Sequence, residues 1–179
     1  MDIGILALQG AVSEHKSCVE KAGMNVIEIR TPSDLQHISG LIMPGGESTT
    51  LRNLLKNSGL WKVIDESDLP IMGTCAGAIL IGKGVNETFS KIDMEIDRNY
   101  YGRQKDSFEK NILVENKNKF KGIFIRAPAI ISIGTKTKPI AWVDDNIVGC
   151  IEGKNMALTF HPELTDDLTF HELWLEGLK

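Results

Sequence analysis

The chain has 179 residues, 42% hydrophobic and 25% charged, so it can bury a full core and its composition excludes a disordered protein. Its 20 lysines and arginines against 24 aspartates and glutamates give a net charge of −4, without the basic block that would indicate a nucleic-acid partner. The three cysteines lack CxxC spacing, which argues against a disulfide framework or a metal site and favours the cytoplasm. The apolar run at the N-terminus is too short for a signal peptide or a membrane span. We therefore expect one domain over residues 1–179, with no metal, no cofactor and no membrane partner.

The first half of the chain alternates short apolar runs with helical spacing. Residues 3–8 predict a buried parallel strand, residues 11–22 an amphipathic helix that ends at Gly23, and residues 24–29 a second strand. Two further apolar runs predict strands at 41–43 and 69–72, and leucines at helical spacing follow the first of these. This order predicts an α/β fold with an open, mostly parallel sheet and helices on both faces.

The second half of the chain has a different pattern of apolar and turn residues. Residues 92–148 contain short strand-like runs with turn residues between them and few helical patterns. We expect an antiparallel extension of the same sheet, or a β excursion packed beside it. Residues 156–160 predict a final strand, and Phe170, Leu173, Trp174 and Leu178 an amphipathic closing helix.

One cysteine stands at a position that predicts a nucleophile. The sequence GTCAG at residues 73–77 follows the predicted strand 69–72 and precedes a short apolar helix, which places Cys75 at a strand-to-helix turn. Such a turn holds a side chain in a strained, exposed position, and helix N-terminal amides favour the thiolate. The alternative is a buried packing residue, which is what most free cysteines are.

A base and its partner follow the final strand. His161 and Glu163 flank Pro162, so in an extended segment their side chains leave the same face. Both this segment and Cys75 follow strands, at the carboxyl edge of the predicted sheet where α/β proteins place their sites. The three residues therefore predict a catalytic cysteine, histidine and glutamate for acyl transfer; the alternative for His161 and Glu163 is a surface pair.

Other polar residues receive simpler interpretations. The backbone N–H groups of Ala76 and of the Gly45-Gly46 turn are candidates for an oxyanion hole, although an isolated Gly-Gly is more often an ordinary turn. Arginines in two polar stretches, NYYGRQ at 99–104 and around 126–128, have the fork geometry that binds a carboxylate, but most arginines are simply solvated. The remaining histidines, His15, His37 and His171, are interpreted as surface or packing residues.

At this point the sequence resembles the class I (triad) glutamine amidotransferases, in which Cys, His and Glu release ammonia from glutamine. More narrowly, it is similar to the family of glutaminase subunits of pyridoxal 5′-phosphate synthases in the deoxyxylulose-independent pathway to vitamin B6. The fold of that family is a three-layer, flavodoxin-like or Rossmann-like open sheet. The resemblance rests on the triad sequences and on LQGAV at 8–12, PGGESTT at 44–50, GRQ at 102–104, SFE at 107–109, FIRAP at 124–128 and FHPELT at 160–165.

The resemblance implies roles for residues that the spacing leaves open. It implies an oxyanion hole from Gly46 and Ala76. It implies a role for Gln9 in coupling the oxyanion hole to partner docking. The implied partners are L-glutamine and a barrel-shaped synthase subunit, which assembles with this chain in a large hetero-oligomer. The resemblance implies that the ammonia passes to the synthase subunit and is condensed there with a pentose phosphate and a triose phosphate. The implied glutamine pocket is made of Gly46, Glu47, Ser48, Arg103, Ile125 and Arg126.

Three alternatives stay open. The chain could feed ammonia to another biosynthetic pathway, although the GRQ and FIRAP blocks argue against this. It could be a thiol hydrolase or peptidase of the same architecture. It could also be a non-catalytic binding module, which would not require Cys75, His161 and Glu163 together.

Overall fold

The computed structural model describes residues 1–84, 86–98, 107–115 and 117–179, apart from the side chains of residues 117 and 118. None of the helices in this described part is both long and apolar enough to cross a membrane. Its strands are β1 (Asp2–Leu6), β2 (Asn25–Ile29), β3 (Gly40–Met43), β4 (Ile71–Thr74), β5 (Met94–Asp97), β6 (Ser107–Val114), β7 (Lys117–Ile125), β8 (Ala129–Ile133), β9 (Lys138–Val143), β10 (Asn146–Glu152) and β11 (Asn155–Leu158). Its helices are α1 (Val12–Lys21), α2 (Ser48–Asn57), α3 (Leu60–Asp65), α4 (Ala76–Ile81) and α5 (Thr169–Leu178), with 3-10 turns at Pro32–Leu35 and Pro162–Leu164.

A nine-stranded sheet in the order β2-β1-β3-β4-β11-β10-β9-β6-β7 forms the centre of the molecule. The first five strands in this order pair in parallel. The remaining four continue the sheet with antiparallel pairs. Both predictions, the parallel half and the antiparallel extension, are confirmed. The β excursion is present as well, since β5 and β8 form a separate two-stranded antiparallel sheet.

The parallel strands carry apolar side chains on both faces because helices cover both faces. Ile42 of β3 packs in one core with Val19 of α1 and Trp174 of α5. Its neighbours in the same strand, Leu41 and Met43, pack in a second core. That second core contains buried residues of α2, α3 and α4. The alternation explains the near-continuous apolar runs in the sequence, and it confirms the three-layer α/β fold.

Several predicted boundaries differ from the observed ones. The predicted strands 3–8 and 156–160 end earlier, at Leu6 and Leu158, because their last apolar residues belong to the turns that follow. The predicted strand 69–72 instead begins at Ile71 and runs to Thr74. The 41–43 run is confirmed within β3, and the closing helix is confirmed as α5. Helix α3 was not predicted, since its six residues are too short for a clear apolar period.

The packing of β3 against α4 leaves no room for a side chain at Gly77. A Cβ atom built there would lie 2.0 Å from the carbonyl oxygen of Met43. We expect Gly77→Ala to lower the free energy of unfolding by about 3 kcal/mol, because the clash joins two backbones that cannot move aside. Urea unfolding followed by circular dichroism measures this difference.

Gly177 in α5 offers a matched control. A Cβ there would meet no atom within 4 Å, so Gly177→Ala should leave stability unchanged or raise it by up to about 1 kcal/mol through helix propensity. Equal stabilities of the two variants would contradict the tight contact between β3 and α4.

Candidate active site

Cys75 occupies the strained turn that the sequence predicts. It lies between β4 and α4 with φ 49° and ψ −104°, a conformation that non-glycine residues rarely adopt. The turn is fixed from both sides: the Cys75 N–H donates to the Leu158 carbonyl at 2.8 Å, and the Ile79 N–H donates to the Cys75 carbonyl at 3.2 Å. Because β4 lies between β3 and β11, the turn faces the residues that follow both neighbouring strands.

His161 and Glu163 are in direct contact. His161 Nδ1 lies 2.8 Å from Glu163 Oε1, and both side chains are buried. The expected extended segment is wrong, because the 3-10 turn Pro162–Leu164 begins directly after His161 and bends the chain. The His161 N–H donates to the Ile123 carbonyl at 2.9 Å, which ties this turn to β7. The imidazole is therefore positioned by backbone bonds and by its carboxylate.

Gly45 lies against both His161 and Cys75. A Cβ atom at Gly45 would stand 2.5 Å from His161 Cε1 and 3.1 Å from Cys75 Cβ. The turn after β3 thus packs on the cysteine and the imidazole at once, and only glycine fits there. The structure brings together the three residues that the sequence predicts as catalytic.

The charges of this cluster favour an ion pair. Burial alone would lower the pKa of His161, but hydrogen bonds with Cys75 and Glu163, and their negative charges, raise it to about 10. Burial would raise the pKa of Glu163, but the neighbouring His15 and the hydrogen bond from His161 lower it below the ordinary value. At neutral pH the imidazole is therefore protonated and the carboxylate ionised, with Nδ1 donating to Oε1.

The candidate oxyanion residues lie beside this cluster. Gly46 has φ 148°, and a Cβ there would lie 2.8 Å from the side-chain nitrogen of Gln9. That nitrogen donates to the Glu47 carbonyl at 2.8 Å, so the Gln9 side chain lies across the Gly46 turn. Ala76 is the first residue of α4, where an N–H group has no acceptor within its own helix.

Glu47 uses its side chain to cap helix α2. Its carboxylate accepts hydrogen bonds from the Thr49 N–H at 3.1 Å and the Thr50 N–H at 2.7 Å, and Arg98 donates to it at 3.1 Å. Burial would raise the pKa of Glu47, but the backbone hydrogen bonds lower it to about 2. Next to it, Ser48 is buried and lines a cleft of about 420 Å³ together with Arg98.

The remaining substrate candidates fall in different places. The Ile125 carbonyl lies 3.8 Å from Cys75 Sγ, at the end of β7. Arg126 follows it with an exposed side chain and a φ of 44°, a second strained non-glycine residue close to the cysteine. Arg103 and the rest of the 99–104 stretch lie outside the described residues.

Two of the histidines interpreted as surface or packing residues are buried, as packing residues are, and they also make polar contacts that the spacing does not predict. His15 and His171 are fully buried, and His15 Nε2 lies 3.4 Å from Glu163 Oε2. His37, in contrast, is exposed. A signal was present: His15 shares its helix face with Cys18 and Val19, and His171 is spaced three, four and seven residues before Trp174, Leu175 and Leu178. Both imidazoles thus lie on apolar helix faces that had to be buried.

The chain is similar to known proteins over nearly its full length. A family model described as "SNO glutamine amidotransferase family" matches residues 5–179. The chain is 44% identical to "Pyridoxal 5′-phosphate synthase subunit PdxT" of Pyrococcus furiosus, over 98% of each chain. It is 47% identical to the protein of the same name from Methanocaldococcus jannaschii, over 93% of this chain and 92% of the relative. A solved structure described as "Crystal structure of glutamine amidotransferase" superimposes with a TM-score of 0.89 at 37% identity and 98% coverage of both chains.

The ion pair leads to a prediction for the histidines in solution. We expect NMR of ring nitrogens in labelled protein to find His161 protonated at pH 8, because its pKa is raised to about 10. His171 should be neutral under the same conditions, because burial first, and then the neighbouring His15, lower its pKa to about 3. Glu163→Gln should lower the pKa of His161, since it removes a negative charge and a hydrogen-bond acceptor. A His161 ring that is neutral at pH 8 in the unmodified protein would contradict the ion pair.

Proposed function

The chain belongs to the SNO glutamine amidotransferase family, and we propose that Cys75, His161 and Glu163 release ammonia from L-glutamine. Its activity is that of a glutaminase, and its function is to supply ammonia for pyridoxal 5′-phosphate synthesis. The observation that carries the assignment of residues is the cluster itself. A cysteine on a strained turn, a buried imidazole and an ionised carboxylate meet around Gly45.

The reaction follows from the ion pair. The Cys75 thiolate attacks the carbon of the glutamine side-chain amide, and the carbonyl oxygen becomes an oxyanion. This oxyanion accepts hydrogen bonds from the backbone N–H groups of Gly46 and Ala76. The His161 imidazolium gives its proton to the amide nitrogen, the C–N bond breaks, and ammonia leaves with a thioester on Cys75. Neutral His161 then takes a proton from water, the resulting hydroxide attacks the thioester, and glutamate and the thiolate are formed. Glu163 stabilises the imidazolium at both stages.

We propose that the glutamine is bound by the segments that frame Cys75. The turn of Gly46, Glu47 and Ser48 lies on one side of the cysteine and Ile125 with Arg126 on the other. The carboxylate of Glu47 is committed to the cap of α2 and to Arg98, so its contribution to substrate binding comes from its backbone. Arg103 is proposed to bind the α-carboxylate, as the bidentate geometry of a guanidinium allows.

The ammonia is used by a synthase subunit. We propose that this subunit is the barrel-shaped one, that many copies assemble with this chain in a hetero-oligomer, and that Gln9 couples docking to the Gly46 turn. The hydrogen bond from Gln9 to the Glu47 carbonyl supports that role, because it joins the end of β1 to the candidate oxyanion loop.

Three unpaired cysteines support a reducing location, the cytoplasm. We also propose that residues 1–179 form one glutaminase domain, since the family match extends over residues 5–179.

Replacing the nucleophile separates ammonia release from ammonia use. With the synthase subunit present, we expect Cys75→Ala to lower glutamine-dependent cofactor synthesis by at least about 10³-fold, because no thioester forms. Synthesis from added ammonium salts should be unchanged. The measurements are ammonia release from glutamine and absorbance of the cofactor product.

Cys150→Ala is the matched control, because Cys150 is buried against Met94 in the second core. It should keep both activities. Loss of the ammonium-dependent reaction in Cys75→Ala would contradict the role as ammonia donor. Absence of ammonia release by the unmodified chain, with and without the synthase subunit, would favour a thiol hydrolase instead.

A further inference from the structure

The far side of Glu163 is occupied by a pair of histidines that the proposed reaction does not use. His15 on α1 and His171 on α5 are both fully buried, and His15 Nδ1 lies 3.0 Å from His171 Nε2. His15 Nε2 lies 3.2 Å from Thr74 Oγ1 and 3.4 Å from Glu163 Oε2. Thr74 precedes the candidate nucleophile directly. His15 therefore touches both the strand that carries Cys75 and the carboxylate that contacts His161.

The two imidazoles are neutral. Burial lowers the pKa of His15 more than the negative charge of Glu163 raises it, and the charge of His161 lowers it further, against a smaller raising effect of Glu14. Burial and His15 lower the pKa of His171 to about 3, with Glu163 opposing. Each ring therefore carries one proton, and the short contact between them requires one nitrogen to donate and the other to accept.

One assignment of these protons satisfies the surroundings better than the other. With the proton on His15 Nε2, the N–H donates to Thr74 Oγ1 and places its positive end 3.4 Å from the ionised Glu163 Oε2, and Nδ1 accepts from the His171 Nε2–H. Two buried side-chain atoms of the described residues have no hydrogen bond, Glu163 Oε2 and His171 Nδ1, and with this assignment both are acceptors. The opposite assignment places a lone pair against Glu163 Oε2 and leaves His171 Nδ1–H as a buried donor without a partner, which is the costlier arrangement.

From this geometry, and resting on the proposed function, we propose that His15 is a positioning residue for the glutaminase reaction. Its Nε2–H stabilises Glu163 Oε2 through an electrostatic contact at 3.4 Å, because that oxygen makes no hydrogen bond within the described residues. His171 fixes the tautomer of His15 from behind. The carboxylate is thereby held in the orientation in which its other oxygen accepts from His161. Neither histidine touches the substrate.

Two substitutions at position 15 test the role of the N–H donor. A glutamine side chain at position 15 places an amide N–H close to the position of the histidine Nε2. A methionine side chain there has the same length as glutamine and no hydrogen-bond donor. With glutamine as substrate and the synthase subunit present, we expect His15→Met to lower kcat about 10-fold to 100-fold with KM within twofold, because Glu163 loses its support and the catalytic groups lose their alignment. His15→Gln should recover kcat to within about fivefold. Equal kcat values for the two variants would overturn the proposal.

A titration of His161 tests the same role without substrate or partner. In the isolated chain, we expect NMR to show the proton affinity of His161 reduced about tenfold in His15→Met and nearly unchanged in His15→Gln. If His15 had a merely structural role, the proton affinity of His161 would be unchanged in both variants or reduced equally in both, and either result overturns the proposal. Because this readout needs no glutaminase activity, it stands apart from the test of the proposed function.

Position 171 supplies a second pair in case His15→Met fails to fold. His171→Phe fills the space without a donor, and His171→Gln keeps one. We expect kcat to fall about 10-fold in the phenylalanine variant and to be largely recovered in the glutamine variant, with ammonium-dependent synthesis unchanged in both. Equal kcat values in these two variants, or values equal to that of the unmodified chain, would overturn the role of His171 in fixing the tautomer.

Discussion

The arrangement of the site depends on one buried carboxylate. Glu163 is 4% exposed, and an ionised group without water is stable only where hydrogen bonds or opposite charge replace its hydration. His161 provides both at one oxygen, and His15 lies beside the other. Helix α1, the turn after β11 and, through His171, helix α5 must therefore meet at one point. This requirement joins elements from the beginning and the end of the chain in one core.

A second constraint is the lack of space at the edge of the sheet. The turn after β3 passes so close to the turn after β1 that a Cβ at Gly10 would lie 2.0 Å from the Gly45 carbonyl. Gly45 itself packs on His161 and Cys75. Backbone rather than side chains thus fills the space around the cysteine, which leaves N–H groups close to the place where an oxyanion would form. The same closeness means that a shift of either turn moves the other.

The sequence allowed most of the fold to be predicted, because both faces of the parallel strands are buried and their apolar runs are unambiguous. Cys75 could be singled out because a strand-to-helix turn of small residues is a local pattern. The short helix α3 could not be predicted, since its six residues contain too little of a helical period and, unlike α4, it does not follow a strand-to-helix turn of small residues. The contact of His15 with Glu163 could not be predicted either: helix spacing places the imidazole on a buried face, but only the tertiary packing decides which group it meets there.

The chemical nature of the residues beside Glu163 matters as much as their position. A lysine or arginine in place of His15 would also pair with the carboxylate, but its positive charge would repel the proton on His161 and weaken the ion pair. A neutral imidazole brings its N–H dipole to the carboxylate without adding charge, so the carboxylate keeps its full effect on the pKa of His161, which is raised to about 10. Deep burial keeps His15 and His171 neutral, and it is the apolar faces of α1 and α5 that provide this burial. The packing of two helices thereby contributes to the proton affinity of a residue on neither of them.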